Sequence, residues 1–365
     1  MTNSYQPDFA IHPGEHLEEI LDVSGMTQAE LAVRLGIHKK TINEIIRGKA
    51  SLTSDVALRL GKVFDYPVHL WNNLQRNYDE TRARLAEEKR LVRHLDRRPD
   101  WLGQIPVKEM IDRGWIEYHE APLAQLDAVL RFFGIASPDQ WRTVWETHQV
   151  AYRQSRRFEP NAFALSAWLR RGEIEAQAIA RNPFDRRLFQ SVLDEARALT
   201  WEPPEVLQPG LTARCARAGV ALVFVPELSG TGVFGCTRWL GGKAIIQLSL
   251  RYESNDRFWF TFFHEAGHIL AHGRKAIFLE GGGLGGEKEE EANAFARDSL
   301  IPPVAYRRFL AEWDGCSLAP LETFAEEIGI ASGIVVGRLQ HDGLLPCDTG
   351  NERKVFYHWA DGDSQ

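Results

Sequence analysis

Residues Phe258–Leu270 read FWFTFFHEAGHIL, and this stretch decides how the C-terminal part of the chain is to be understood. Phe258, Trp259, Phe262, Phe263, Ile269 and Leu270 leave almost no polar side, the composition of a helix buried all round. Into that apolar cylinder the sequence places His264, Glu265 and His268. Histidines four apart stand one turn apart on one helix face, so both imidazoles can reach a single zinc ion. Glu265 then lies beside the metal as a carboxylate able to take a proton from a water whose pKa the metal has lowered toward ~7. That is the chemistry of peptide hydrolysis. A pattern with three fixed positions in five also arises by chance, and buried histidines are often only hydrogen-bonded core residues. Two imidazoles and a carboxylate buried without partners would be costly, which favours the metal reading.

A catalytic zinc needs a third protein ligand and an open position. Downstream, the glycine-rich stretch Gly281–Gly286 leads into Glu287, Glu289, Glu290 and Glu291, and then into Ala292, Phe295, Ala296 and Leu300 at helical spacing. A second helix is therefore expected to start among the glutamates, with Glu289 as the third ligand and Glu290 or Glu291 as fallbacks. All four glutamates also suit the positive end of a helix. His272 falls on the ligand face one turn further on; a supporting or lid role suits it better than coordination. Tyr252, His272, Tyr306 and His341 are candidates to stabilise an oxyanion.

The chain has 365 residues, 44% hydrophobic and 25% charged, enough for two or three domains of an ordinary globular protein. No window approaches the ~20 apolar residues of a membrane span, and no basic-then-apolar leader opens the sequence, so a cytoplasmic protein is expected. Four scattered cysteines form no Cys-x-x-Cys pair and are read as thiols. The net charge of −7 resides in residues 201–365, so any DNA contact has to come from a local patch.

Such a patch is legible near the N-terminus. GEHLEEILDVSG gives one helix, Thr27 and Glu30 form a capping box for a second up to about Leu35, and a third runs from about Lys39 to Arg47 after the turn at Gly36 and Ile37. This is a helix-turn-helix, whose later helix enters the major groove, commonly as a homodimer on a two-fold operator. His38, Lys39, Lys40, Thr41, Asn43, Arg47 and Lys49 gather on and around that helix, while Ile42, Ile45 and Ile46 face inward. Lysine can meet guanine edges or phosphates, and asparagine can pair with adenine.

Residues 79–98 read as a charged helix stopped by Pro99, a possible lever between domains, and 123–200 as a helical platform. Its paired arginines at 156/157, 170/171 and 186/187 read as a solvated face, because acids balance them. GVALVFVPEL (219–228) and KAIIQLSL (243–250) read as strands joined by a glycine-rich turn region around 230–242. Residues 245–250 are the natural edge strand for pairing with an extended substrate, or equally a buried strand.

The expected fold class is α+β, mostly helical: a helix-turn-helix bundle (1–78), a helical middle region (79–205), a zincin-like α+β domain (206–310) and a helical tail (311–365). Residues 12–21 (HPGEHLEEIL), 26–37 (MTQAELAVRLGI), 45–64 and 70–80 resemble the helix-turn-helix of HigA-like antitoxins and repressors. Residues 245–251, 262–273 (FFHEAGHILAHG), 289–303 (EEEANAFARDSLIPP) and 323–345 resemble the ImmA/IrrE metallopeptidases. That resemblance implies His264, His268 and Glu289 as zinc ligands and Glu265 as the base. It also implies a DNA-binding regulator or antitoxin whose zinc endopeptidase domain cuts a specific protein partner, a repressor or a toxin–antitoxin component. The competing expectation is a non-proteolytic antitoxin or repressor whose metal domain senses a ligand or binds a partner.

Overall fold

The computed structural model describes residues 7–98, 100–146, 161–251, 254–272, 278–280 and 286–359. The chain forms two compact units, Met1–Pro99 and Asp100–Gln365.

The first unit is all helical: α1 (Pro13–Ser24), α2 (Gln28–Leu35), α3 (Lys39–Ile46), α4 (Ser54–Phe64) and α5 (Val68–Arg97). Its ends follow from local chemistry. His12 accepts from the Gly14 N–H while Glu15 reaches back to the His12 N–H, Thr27 accepts from the Glu30 N–H, and Gly25 and Gly36 close α1 and α2 in the left-handed region. Gly14 is needed sterically, since a Cβ there would stand 2.0 Å from the carbonyl oxygen of Ile45. Leu17, Leu31, Ile42, Ile45, Ala57, Leu60 and Trp71 form the core. The domain boundary expected after residue 78 falls inside α5, a continuous helix that ends where Pro99 forbids the next turn.

The second unit opens with α6 (Asp100–Gln104), α7 (Val107–Asp112), α8 (Pro122–Phe133) and α9 (Pro138–Trp141), continued by a π turn (Arg142–Glu146). After α10 (Ala162–Ala178), α11 (Arg186–Ala198) and α12 (Pro204–Arg217) come β1 (Val220–Phe224), β2 (Gly235–Leu240) and β3 (Lys243–Leu248). Then follow α13 (Asn255–Ala271), β4 (Phe278–Glu280), α14 (Glu287–Leu300), α15 (Pro303–Glu312), α16 (Ala319–Ile328) and α17 (Ser332–His341). The sheet order is β1-β3-β2-β4, with β1 parallel to β3 and the other neighbours antiparallel.

One expectation about the sheet is corrected, and one alternative left open is decided. The stretch read as a turn region contains β2, hidden because Gly235 and Arg238 interrupt its apolar pattern; only the Gly241–Gly242 pair, both at positive φ, makes the turn into β3. Of the two readings of residues 245–250 the buried strand holds: β1 occupies one side of β3 and β2 the other, so its main-chain groups are already paired and cannot receive a substrate strand.

The arginine pairs do more than coat a solvated face, although 156/157 lie outside the described residues. Arg170 donates to the Phe132 carbonyl and to Glu173, and Arg186 donates to the Leu270 carbonyl at the end of α13. Arg197 reaches the Leu300 and Ile328 carbonyls at the ends of α14 and α16. Helix C-termini leave carbonyls unmatched, and these guanidiniums satisfy several of them. One apolar core, from Phe189 through Trp259, Phe262 and Phe263 to Val335 and Tyr357, encloses α13 and crosses the boundaries expected at 205/206 and 310/311.

Candidate metal centre and nucleic-acid interface

Helix α13 is buried along nearly its whole length, as its sequence requires; His264 and His268 are 2% and 1% exposed and Glu265 is 0%. Helix α14 packs against it with backbones close together at Gly267, where a Cβ would lie 3.3 Å from Cα of Ala292. That approach carries Glu289, one turn before Ala292, to the histidines. Its carboxylate oxygens stand 3.2 Å from Nε2 of His264 and 3.5 Å from Nε2 of His268, and the two Nε2 atoms are 3.0 Å apart. Among the described residues, these three groups bring one ligand atom each within 4.8 Å of the others.

The surroundings orient the rings. Asn293 Oδ1 lies 3.0 Å from Nδ1 of His264, so Nδ1–H donates and Nε2 presents its lone pair to the centre. Glu291 Oε2 lies 3.1 Å from Nε2 of His272, and Nδ1 of His272 lies 3.0 Å from Nδ1 of His268. Because a carboxylate only accepts, neutral His272 carries its proton on Nε2 and its Nδ1 accepts from His268 Nδ1–H. His268 therefore also aims a lone pair inward. Burial lowers the His268 pKa, with Glu289 acting against it. Burial by itself would raise the Glu289 pKa, but the two imidazoles against its carboxylate outweigh this and hold it at about 2. Two imidazoles and an ionised carboxylate, converging on one point, are the donor set of a two-histidine, one-carboxylate metal site, so the residues fit a divalent cation.

Glu265, one residue on from His264, turns toward β2: a Cβ on Gly235 would stand 2.8 Å from its Oε1, and the Thr237 hydroxyl donates to its main-chain carbonyl at 2.9 Å. Of the fallback glutamates, Glu291 serves His272 and Glu290 is exposed. Gly281–Gly285 and Tyr252 lie outside the described residues. Tyr306 donates to Asp342 at 2.9 Å beneath the Arg338 guanidinium, while His341 lines a separate cavity. Asn293, Gly235 and Gly267 escaped the sequence reading. Asn293 had a signal available, one helical turn after Glu289, but only the packing of α14 on α13 shows which ring it meets.

In the first unit, Ile42, Ile45 and Ile46 are buried, which turns the rest of α3 outward. His38, Lys39, Lys40, Arg47 and Lys49 are exposed, and Thr41 and Asn43 half-buried. Asn43 donates to Gln28, the first residue of α2, at 3.3 Å. Glu44, which the sequence reading passed over, shares the outward face and lies 3.8 Å from Lys40.

Comparison with known proteins agrees with this division. A helix-turn-helix family model matches residues 17–71, and an IrrE N-terminal-like domain, a peptidase family, matches residues 215–339. Virulence-associated protein I of Dichelobacter nodosus is 41% identical over 80 residues, 22% of this chain and 71% of its own length. Antitoxin HigA-1 of Vibrio cholerae is 35% identical over 85 residues, 22% of this chain and 80% of its own length. The structure of Pseudomonas aeruginosa antitoxin HigA with its higBA promoter shares 37% identity over 22% of this chain and 90% of that one, with a TM-score of 0.22. The chain belongs to the XRE-type helix-turn-helix family that includes the HigA-like antitoxins, and its C-terminal part is an IrrE-like peptidase-family domain.

Proposed function

We propose that the protein is a DNA-binding regulator or antitoxin whose IrrE-like domain is a zinc endopeptidase acting on one regulatory protein partner, a repressor or a toxin–antitoxin component. The observation that carries this reading is the convergence of His264, His268 and Glu289 on one point inside an apolar helix pair, with Glu265 adjacent in sequence and facing β2. A zinc ion held by the three would polarise a water and the scissile carbonyl. Glu265 would receive the proton of the attacking water and return it to the leaving nitrogen. Asn293 and His272 would hold the two imidazoles in the lone-pair-inward tautomers. The phenylalanines of α13 would exclude bulk water and strengthen every charge interaction within.

Residues His38, Lys39, Lys40, Thr41, Asn43, Arg47 and Lys49 would meet the operator, the cations on phosphates and Asn43 on a base edge, most naturally as a homodimer on a two-fold site. Among the described residues no helix is long and apolar enough to cross a membrane, and a cytoplasmic regulator accords with that.

The test uses purified full-length protein, assayed for bound zinc and for cutting of the proteins encoded beside it. We expect one zinc per chain, cleavage by the wild type, and a Glu265→Gln variant that keeps its zinc and loses cleavage. Carefully prepared protein without zinc would overturn the reading. Regulation in cells unchanged by Glu265→Gln but abolished by His264→Ala would replace the peptidase with a sensory or structural metal.

A further inference from the structure

The same two helices that carry the metal centre continue into a cavity of about 670 Å³. Arg257, Phe260 and Thr261 line it and fall seven, four and three residues before His264, on the His264 face of α13. Arg297 and Leu300 line it from α14, one and two turns after Asn293, which holds the His264 ring. At 1.5 Å per residue, Arg257 stands about 10 Å along the axis from His264, and Arg297 about 12 Å from Glu289. An extended peptide advances about 3.3 Å per residue, so a chain cut at the centre would bring a side chain three or four positions away into this cavity.

The wall is cationic: Arg257, Arg297, Arg338 and Lys354 face it against the single carboxylate of Asp256. Three of the cations already have partners: Arg338 is matched by Asp342 at 2.7 Å and Lys354 by Asp256 at 2.9 Å, and Arg257 is engaged as well. Arg297 is half-buried, and among the described residues it makes neither an ion pair nor a side-chain hydrogen bond. A partly desolvated guanidinium with a planar fork is a receptor for a carboxylate. Phe234 and Phe260 supply apolar wall beside it, which suits the stem of an acidic side chain within a protein segment.

We infer that this cavity is the specificity pocket of the peptidase and that Arg297 selects protein segments carrying Asp or Glu three or four residues from the bond cut. The inference rests on the peptidase reading of the metal centre, and its test separates the two. The binding arm uses full-length, zinc-loaded Glu265→Gln protein and two fluorescein-labelled dodecapeptides that differ only in three Glu replaced by three Gln. The Glu peptide is expected to bind at least about tenfold tighter. Adding Arg297→Gln should shrink the ratio to within about threefold with zinc content unchanged, and Arg297→Lys should restore most of it. The cleavage arm incubates wild-type protein with a random synthetic dodecapeptide library and maps the cut sites by mass spectrometry, expecting acids enriched at those positions.

Equal binding of the two peptides, or binding of neither, overturns the inference. Cutting without acid enrichment also overturns it and leaves the peptidase standing. Charge-selective binding that depends on Arg297, with nothing in the library cut, supports the pocket and counts against the enzyme.

Discussion

Substituting His272 by alanine removes the acceptor that fixes the tautomer of His268, and the structure sets the size of the effect. His268 Nδ1 and His272 Nδ1 are 3.0 Å apart, inside the protein, with the His272 side chain 4% exposed. Once His268 is bound to a cation, its Nδ1–H is a charge-assisted donor, and such hydrogen bonds are worth about 1.5–3 kcal/mol. At 1.4 kcal/mol per factor of ten, zinc affinity should fall by roughly 10- to 100-fold, the range seen when outer partners of metal ligands are lost. The outer link is weaker. Glu291 is 55% exposed, so its pairing with His272 is screened, and Glu291→Gln should change affinity by less than about threefold. His272→Asn places a carbonyl oxygen near the lost Nδ1 and should recover most of the affinity. The assay is competition for zinc against a chromophoric chelator with full-length protein, which reads binding independently of catalysis. If His272→Ala holds zinc within twofold of the wild type, the relay reasoning is wrong. Failure of His272→Asn to recover affinity lost in His272→Ala would mean that ring packing, not the acceptor, was the contribution.

Other consequences follow from residues at a distance from the metal. Arg238, 1% exposed on β2, is held by Glu173 at 3.0 Å and by the Leu169 carbonyl, so Glu173→Gln leaves a buried guanidinium with neutral acceptors and no countercharge and should destabilise the C-terminal unit by about 3–5 kcal/mol. Urea unfolding followed by tryptophan fluorescence would detect this, and a midpoint that does not move would refute it. Burial pushes the Cys215 thiol up to about 12 and that of Cys236 higher still, while Cys316 and Cys347 are exposed. A raised pKa keeps a thiol protonated and unreactive at pH 8, so a thiol reagent should label two of the four cysteines in the native protein and all four in guanidinium. On operator DNA, Lys39→Gln and Arg47→Gln should each reduce the slope of log K against log salt by about 1, measured by fluorescence anisotropy with a promoter fragment. Slopes that stay put would take α3 out of the phosphate contacts.

What the sequence conveyed was whatever repeats on the scale of one or two turns. The Thr27 N-cap, the glycine stops at 25 and 36, the inward isoleucines of α3 and the spacing of His264 and His268 are local, and each lies where its chemistry predicted; the Glu30 half of the expected capping box does not form, because its carboxylate pairs with Arg34. The strand β2 was not legible because its middle residue is an arginine, acceptable in a buried strand only since Glu173, 65 residues earlier, arrives beside it. Whether β3 is an edge or a buried strand stayed open for a related reason: main-chain pairing depends on which strand lies alongside, and β1 and β2 both do.

By its own chemistry the sequence determined two helical modules and a buried helix bearing two metal-competent imidazoles. The sequence favoured Glu289 among four neighbouring glutamates with two fallbacks beside it, and the tertiary structure brings Glu289 to the imidazoles. The run Glu287–Glu291 offers a carboxylate at almost every direction around α14, and the choice falls to Glu289 because Gly267 has no side chain, letting Ala292 and the turn before it settle against α13. The tertiary structure likewise placed Asn293 behind the His264 ring and Arg297 in a cavity beside the same two helices. These are contacts between segments separated by loops, whose approach is governed by side-chain volume and packing rather than by any period written along the chain.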